Sequence, residues 1–102
     1  DADIAASAAT LLTCASNKVL KINSLIIANI DGTNAADITV DIYRSSVAYH
    51  IAKTVSVPAD STLVVISKDS SIYLEESDAL RLTASAAGDL SAVCSYEELD
   101  DA

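Results

Sequence analysis

Apolar and polar residues alternate along most of this 102-residue chain with the two-residue period of β-strands. The clearest stretch is 62–97, where short polar turns separate runs of branched aliphatic residues. The pattern predicts strands at 10–14, 19–30, 37–44, 62–67, 71–74, 79–85 and 90–96, and one more that ends at Pro58. No stretch has a convincing helical period. Seven to eight short strands predict an all-β fold, an antiparallel β-sandwich or jelly-roll-like barrel.

The strand predicted at 19–30 is apolar on both faces. Unbroken alternation places Leu20, Ile22, Ile26, Ala28 and Ile30 on one face and Val19, Leu25 and Ile27 on the other. Such a strand either lies at the centre of a sheet or turns its outer face to a partner. The strand at 37–44 alternates more simply, with Ile38, Val40 and Ile42 inward.

Polar turns are predicted at 15–18, 31–36, 45–46, 58–61, 75–78 and 86–89. The chain as a whole is predicted to have three parts. Residues 1–9 are alanine-rich and could form a helical turn, a first strand or an arm that orders only against a neighbour. Residues 10–97 form the sandwich, and 98–102 are expected to be a solvated, frayed acidic tail.

The charge excludes several classes of partner. Fifteen acidic and six basic residues give a net charge of −9, which repels nucleic-acid phosphates and anionic lipid surfaces. No apolar run approaches the ~20 residues of a membrane-spanning helix. The first residues lack the basic start of a signal peptide. We therefore expect neither nucleic acid nor a membrane as a partner.

The residues of catalytic chemistry are sparse. His50 is the single histidine, and there is no G-x-S-x-G elbow to present a nucleophile. We expect no enzymatic activity and no cofactor, and His50 to be a surface or interface residue. Cys14 and Cys94 lie on the first and last predicted strands, so a disulfide is conceivable, but two buried free thiols are the favoured interpretation.

Three acidic turns or tails raise the question of a metal. Residues 31–34 resemble half of a calcium loop but lack its later ligands, and Glu75, Glu76 and Asp78 form a second acidic turn. The third cluster is the tail itself. Carboxylates in turns are usually solvated, so no metal site is predicted. The chain has four tyrosines and no Trp or Phe, a composition that suits protein interfaces better than sugar platforms.

Three segments together resemble a known group of proteins. They are residues 18–33, residues 51–63 with Val57, Pro58 and Ala59, and residues 72–85 with Asp78. Their order over about residues 10–97 resembles small virion proteins of tailed bacteriophages, especially marine and cyanobacterial phages. The shared motifs are turn-forming ones, while the acidic tail and the paired cysteines depart from the pattern.

The resemblance implies a non-enzymatic role in the virion, assembled in the host cytoplasm. We expect a head decoration (cement) protein that binds the major capsid protein and stabilises the assembled head through its β-sandwich faces and an N-terminal arm, residues 1–9. The apolar faces of the strand at 19–30 lead us to expect a homo-oligomer, a trimer in particular. The alternative is a neck, tail or fibre module that contacts another tail protein or a host glycan. A cellular surface-adhesion sandwich is a third, weaker alternative. The candidate interface residues are Ile4, Leu11, Val19, Leu25, Ile27, Tyr43, Tyr49 and His50.

Overall fold

The structure, a computed structural model, describes residues 2–100 and consists almost entirely of β-strands. The strands are β1 (Ala2–Asp3), β2 (Ala9–Thr13), β3 (Lys18–Asn29), β4 (Ala36–Arg44), β5 (Val47–Val57), β6 (Thr62–Ile66), β7 (Ile72–Leu74), β8 (Ala79–Ala84) and β9 (Leu90–Asp100). A 3₁₀ turn, Lys68–Ser70, lies between β6 and β7. The prediction of an all-β fold is confirmed, with one strand more than the expected seven to eight among these residues.

The strands form two antiparallel sheets with the nesting of a jelly roll. Sheet A has the order β1-β9-β3, and β6 and β7 pair successive parts of the far edge of β3. Sheet B has the order β2-β8-β4-β5. With β6 and β7 counted as one interrupted strand, the first strand pairs the last, the second pairs the second-last, and so on inward to the β4–β5 hairpin. This is the folded-over ribbon of a jelly-roll sandwich.

The core between the sheets is aliphatic, as the composition predicts. Its buried hydrophobic residues are Ile4, Cys14, Leu20, Ile22, Leu25, Ile27, Ala36, Ile38, Val40, Val57, Ile66, Leu74, Leu80, Leu82, Ala84, Leu90 and Ala92. Most of these side chains are branched aliphatics, which pack well on pleated sheets, and no aromatic ring is buried among the described residues. The long strands β3 and β9, of 12 and 11 residues, account for the elongated shape of 48 × 27 × 18 Å.

A β-bulge in β3 changes which side chains enter this core. Between Ile22 and Ser24, β3 advances two residues while β9 advances one, so Asn23 is the extra residue. One extra residue exchanges the two faces of everything beyond it. Leu25 and Ile27 therefore point into the core, each 0% exposed, and Ile26 points outward. The prediction from unbroken alternation is wrong for this half of the strand.

Both ends of the described part of the chain, residues 2–5 and 98–100, are paired in the sheets. Ala2–Asp3 pair with β9, the Ile4 N–H donates to the Leu90 carbonyl at 2.9 Å, and the Ala84 N–H donates to the Ala5 carbonyl at 2.9 Å. Ile4 is 3% exposed. Of the three alternatives for 1–9, a first strand is the one present. At the other end, residues 98–100 belong to β9, so the prediction of a frayed tail is wrong for them. Residues 101–102 lie outside the described residues.

The turns occur where polar residues predict them. The loop after β3 crosses from sheet A to sheet B, and Gly32 lacks the positive φ of a tight hairpin. The Asp31 carboxylate instead accepts the Thr33 and Asn34 N–H groups at 2.8 and 3.2 Å. The tight two-residue hairpin is Ser45 and Ser46, both with positive φ (52° and 63°).

Candidate interaction surfaces

Two buried carboxylates are held by arginines and serve the fold. Arg44 donates to both Asp78 oxygens, Nε to Oδ1 at 2.9 Å and Nη2 to Oδ2 at 2.5 Å. Oδ2 also accepts the Glu75 N–H at 2.8 Å, and the Asp78 carbonyl accepts the Cys14 N–H at 2.9 Å. These bonds join the ends of β2 and β4 to the β7–β8 turn. The Arg44 guanidinium lowers the pKa of Asp78 below its usual value.

The second ion pair lies on the outer face of sheet B. Arg81 donates to the Asp41 carboxylate, Nε to Oδ1 at 2.8 Å and Nη2 to Oδ2 at 3.1 Å. The guanidinium carbon lies 4.0 Å from the centre of the Tyr43 ring. Tyr43 is therefore half-buried, with one ring face already occupied. Among residues 2–100, no buried side-chain nitrogen or oxygen lacks a hydrogen-bond partner.

The eight residues predicted for an interface do not form one surface. Three of them, Ile4, Leu25 and Ile27, are core residues, so their assignment to a surface is wrong. The physical reasons are the pairing of the first strand and the bulge in β3. These side chains cannot contact a partner while the sandwich is folded.

The other five predicted residues are accessible but scattered. Val19 is on the outer face of sheet A, opposite Leu99, whereas Leu11 is the bulged residue of the edge strand β2 and lines a cleft of about 100 Å³. Tyr43 contacts Arg81 on sheet B. Tyr49 and His50 lie on the edge strand β5, exposed, with His50 opposite Asp41. Of these five, only Val19 lies on the outer face of sheet A, which also carries the apolar side chains described next.

A row of aliphatic side chains crosses the outer face of sheet A. Val93 of β9, Ile26 of β3 and Val64 of β6 are direct cross-strand neighbours. Val93 and Val64 are 54% and 55% exposed. We call these three residues the outer apolar row. Ile30, 59% exposed, lies at the same end of the sheet. Exposed apolar side chains that lie together in adjacent strands mark this face as a candidate interface.

The outer apolar row could not be predicted from the sequence, because the bulge at Asn23 decides that Ile26 points outward. Unbroken alternation assigns Ile26 to the inner face. No sequence feature of β9 distinguishes Val93 as an exposed apolar residue. The one available signal is the polar pair Asn23 and Ser24, which interrupts an otherwise apolar run. An interruption of this kind is typical of a bulge.

Sheet B carries a surface of a different character. A shallow groove of about 280 Å³ on its outer face is lined by Ala6, Asp37, Thr39, Thr54, Thr83, Ala84 and Ser85. The Thr54 N–H donates to Thr39 Oγ1 at 3.0 Å, which holds Thr54 at a φ of 53°, rare for a β-branched residue. The groove therefore presents hydroxyl groups beside one carboxylate.

The remaining candidate sites are the two cysteines and the acidic clusters. Cys14 and Cys94 are both free thiols, as expected, although Cys94 is only partly buried. Burial raises the pKa of each thiol, and Cys14 Sγ donates to the Lys18 carbonyl at 3.1 Å. Within residues 2–100, no three His, Cys, Asp or Glu side chains come close enough to hold a metal ion. The described residues also contain no helix long and apolar enough to span a membrane.

The strand order and the two outer faces define the chain as a small jelly-roll β-sandwich. No protein-family profile, curated protein or solved structure matches it.

Proposed function

We propose that this chain is a non-enzymatic structural protein of a tailed-bacteriophage virion, and that it acts as a capsid decoration (cement) protein. Jelly rolls occur in viral capsid and lectin domains, but a fold alone does not define a function. The observation that carries the proposal is the outer apolar row, Val93, Ile26 and Val64, on a sandwich whose buried polar groups are already paired. The motif resemblance to phage virion proteins supports the same role.

The partners we propose are the major capsid protein and further copies of this chain. Two of the row's side chains are more than half exposed, and burial of apolar area at about 25 cal/mol per Å² favours their association. A closed ring, a trimer in particular, buries such a row in every subunit without leaving an open end. A ring that clamps adjacent capsid subunits opposes the outward pressure of packaged DNA. The faces of the sandwich carry this attachment without an N-terminal arm, because residues 2–5 and Ala9 are held in the sheets.

The test is a pair of matched valine substitutions. Val93→Asp places a charge in the outer apolar row, whereas Val47→Asp places one on β5 at similar exposure, 54% against 48%. We expect Val93→Asp to weaken co-sedimentation with phage heads that lack the protein by about thirtyfold and to dissociate the oligomer in light scattering. Val47→Asp should bind heads normally. Equal effects of the two substitutions, or a wild-type protein that ignores heads, would contradict the proposal.

The hydroxyl-lined groove of sheet B favours a second candidate, a neck, tail or fibre module that binds a host glycan. Thr39, Thr54, Thr83 and Ser85 present hydroxyl groups beside Asp37, a set that can exchange hydrogen bonds with a sugar. A glycan array distinguishes the candidates. Specific binding that Thr83→Val abolishes supports the module, whereas silence of the array together with binding to heads supports decoration.

A further inference from the structure

An exposed isoleucine lies at one end of the outer face of sheet A. Ile26 and Ala28 of β3 point outward, and alternation places Ile30, the residue after the strand, on the same face. Ile30 is 59% exposed, the highest value for a large hydrophobic residue in the described part of the chain. The apolar surface therefore continues from the outer apolar row to this end of the sheet.

Aspartates from three loops and the first strand border Ile30. The Ile30 N–H donates to the Asp89 carbonyl at 2.8 Å, and the Asp60 N–H donates to the Asp31 carbonyl at 3.2 Å. Asp3 joins them through the pairing of the first strand with β9. No ion pair to any of the four is formed within residues 2–100. We call the group the Ile30 end; it consists of Ile30, Asp3, Asp31, Asp60 and Asp89.

The basic residues of the chain lie elsewhere. They are Lys18 and Lys21 in the first half of β3, Arg44, Lys53 and Arg81 in sheet B, and Lys68 in the 3₁₀ turn. On the outer face of sheet A, Lys21 lies opposite Glu97, and Lys18 pairs with Asp100. Lys21 and Ile30 are separated by roughly 30 Å along the chain at about 3.3 Å per residue. The far half of this sheet therefore carries both signs of charge, whereas the Ile30 end carries negative charge alone.

The described chain leaves the Ile30 end uncovered. The first strand runs toward this end from Ala2 to Ile4, and β9 runs away from it, from Leu90 to Asp100. Continuation of either strand along its neighbours leads toward the opposite end of the sheet. The pairing of the sheet therefore does not direct a further strand across Ile30.

The charges at this end disfavour a second copy of the chain as its occupant. Two copies joined through their Ile30 ends would bring carboxylates together, in a chain whose net charge is already −9. A head-to-tail contact has few cations to offer, because Lys18, Arg44 and Arg81 are in ion pairs and the other three lysines lie singly in separate elements. A partner with clustered Lys or Arg side chains gains charge attraction at the same place.

We propose that the Ile30 end docks on a protein other than a second copy of this chain, with Ile30 in an apolar pocket and Lys or Arg side chains of that partner beside Asp60 and Asp89. The buried isoleucine provides affinity, and the aspartates at its border set the orientation and the salt dependence. This inference rests on the proposed function only for the place of the partner in the virion.

The experiment is co-sedimentation of the whole chain with two probes, phage heads that lack the protein and, separately, isolated tails. We expect Ile30→Ala to weaken binding about tenfold. Asp60→Asn with Asp89→Asn should weaken it about tenfold at about 50 mM NaCl and much less at about 500 mM, where salt screens the lost attraction. Asn is tolerated at the Asp60 φ of 58°, and thermal denaturation verifies that each variant is folded.

A matched pair of substitutions away from the Ile30 end is the control. Asp69→Asn with Glu76→Gln removes two exposed carboxylates from the 3₁₀ turn and the β7–β8 turn, and it should leave binding unchanged at both salt concentrations. Wild-type binding to heads that Ile30→Ala and the Asp60 and Asp89 pair leave unchanged, or that the control pair weakens equally, would overturn this inference and leave the proposed function standing. Binding to tails alone, with the expected losses, would support the inference and contradict head decoration. Binding to neither probe would contradict both.

Discussion

Of the three polar residues buried within the described part of the chain, two are acids that depend on arginines distant in the sequence. Asp78 pairs with Arg44 and Asp41 pairs with Arg81, and the third residue, Asn29, donates to the Asn34 and Val57 carbonyls at 3.0 and 2.9 Å. Each of them connects separate elements of the sandwich. The turn at 75–78 is predictable from its residues, but the burial of Asp78 depends on Arg44, 34 positions away, and no local pattern indicates that contact.

Loss of Arg44 should be among the more costly substitutions at the protein surface. Arg44→Ala leaves the Asp78 carboxylate, whose side chain is only 3% exposed, with the Glu75 N–H as its remaining donor. We expect a loss of about 3 kcal/mol in the free energy of unfolding, measured by urea denaturation. Lys53→Ala, on the exposed strand β5, is the control and should change it by less than about 0.5 kcal/mol. Equal effects would contradict the structural role of the ion pair.

The Arg44–Asp78 ion pair also predicts that the free energy of unfolding depends on pH. Asp78 has a lowered pKa in the folded state, so its contribution to stability is present above the unfolded pKa of 3.8 and is lost as the pH falls through the lower folded value. Without Arg44, burial opposes ionisation of Asp78 and this contribution is absent. The stability difference between the wild type and Arg44→Ala should therefore narrow below about pH 4. A difference that is constant from pH 7 to pH 3 would count against this cause.

The two glycines provide a paired test of the backbone. Gly88 has a φ of 85° with nothing within 4 Å of an added Cβ, so Gly88→Ala should cost about 1 kcal/mol through backbone strain alone. Gly32 has no such φ, and its added Cβ would lie 3.5 Å from an Asp60 oxygen, an ordinary contact. Gly32→Ala should be neutral or stabilise by about 0.5 kcal/mol in thermal denaturation. A Gly32→Ala protein less stable than Gly88→Ala would contradict the backbone geometry described for these two turns.

At the scale of elements, the positions of the strands were predictable from the sequence. Which face of a strand is buried was less predictable. The strands predicted at 10–14 and 37–44 match Ala9–Thr13 and Ala36–Arg44 to within a residue, because alternation and turn chemistry are local properties. The bulge at Asn23 is a property of two strands together. One extra residue moved Leu25 and Ile27 into the core and brought Ile26 into the outer apolar row. The candidate interface was therefore predicted only in part.

The first strand offers a direct test of whether residues 2–9 belong to the fold. Ile4→Ala removes a side chain that is 3% exposed, and we expect a loss of about 3 kcal/mol in the free energy of unfolding. Ile30→Ala is the matched control, since Ile30 is 59% exposed and should lose less than about 1 kcal/mol. An Ile4→Ala protein as stable as the wild type would indicate a free arm instead.

At the scale of the whole molecule, the jelly roll separates three surfaces of different chemistry. The outer face of sheet A carries the outer apolar row, sheet B carries a hydroxyl-lined groove, and the Ile30 end is acidic. The fold class followed from the strand rhythm, whereas the nesting of the strands depends on long-range pairing such as that of the first strand with the last. A sandwich with these surfaces is suited to hold neighbouring proteins together.

The central claim, attachment to the phage head, is tested most directly by an electron cryo-microscopy map of the native particle that contains this chain. We expect density for the 48 × 27 × 18 Å sandwich repeated over the head lattice, with the outer apolar row of sheet A buried against capsid or sister subunits. Density confined to the neck or tail, with none on the head lattice, would contradict attachment to the head.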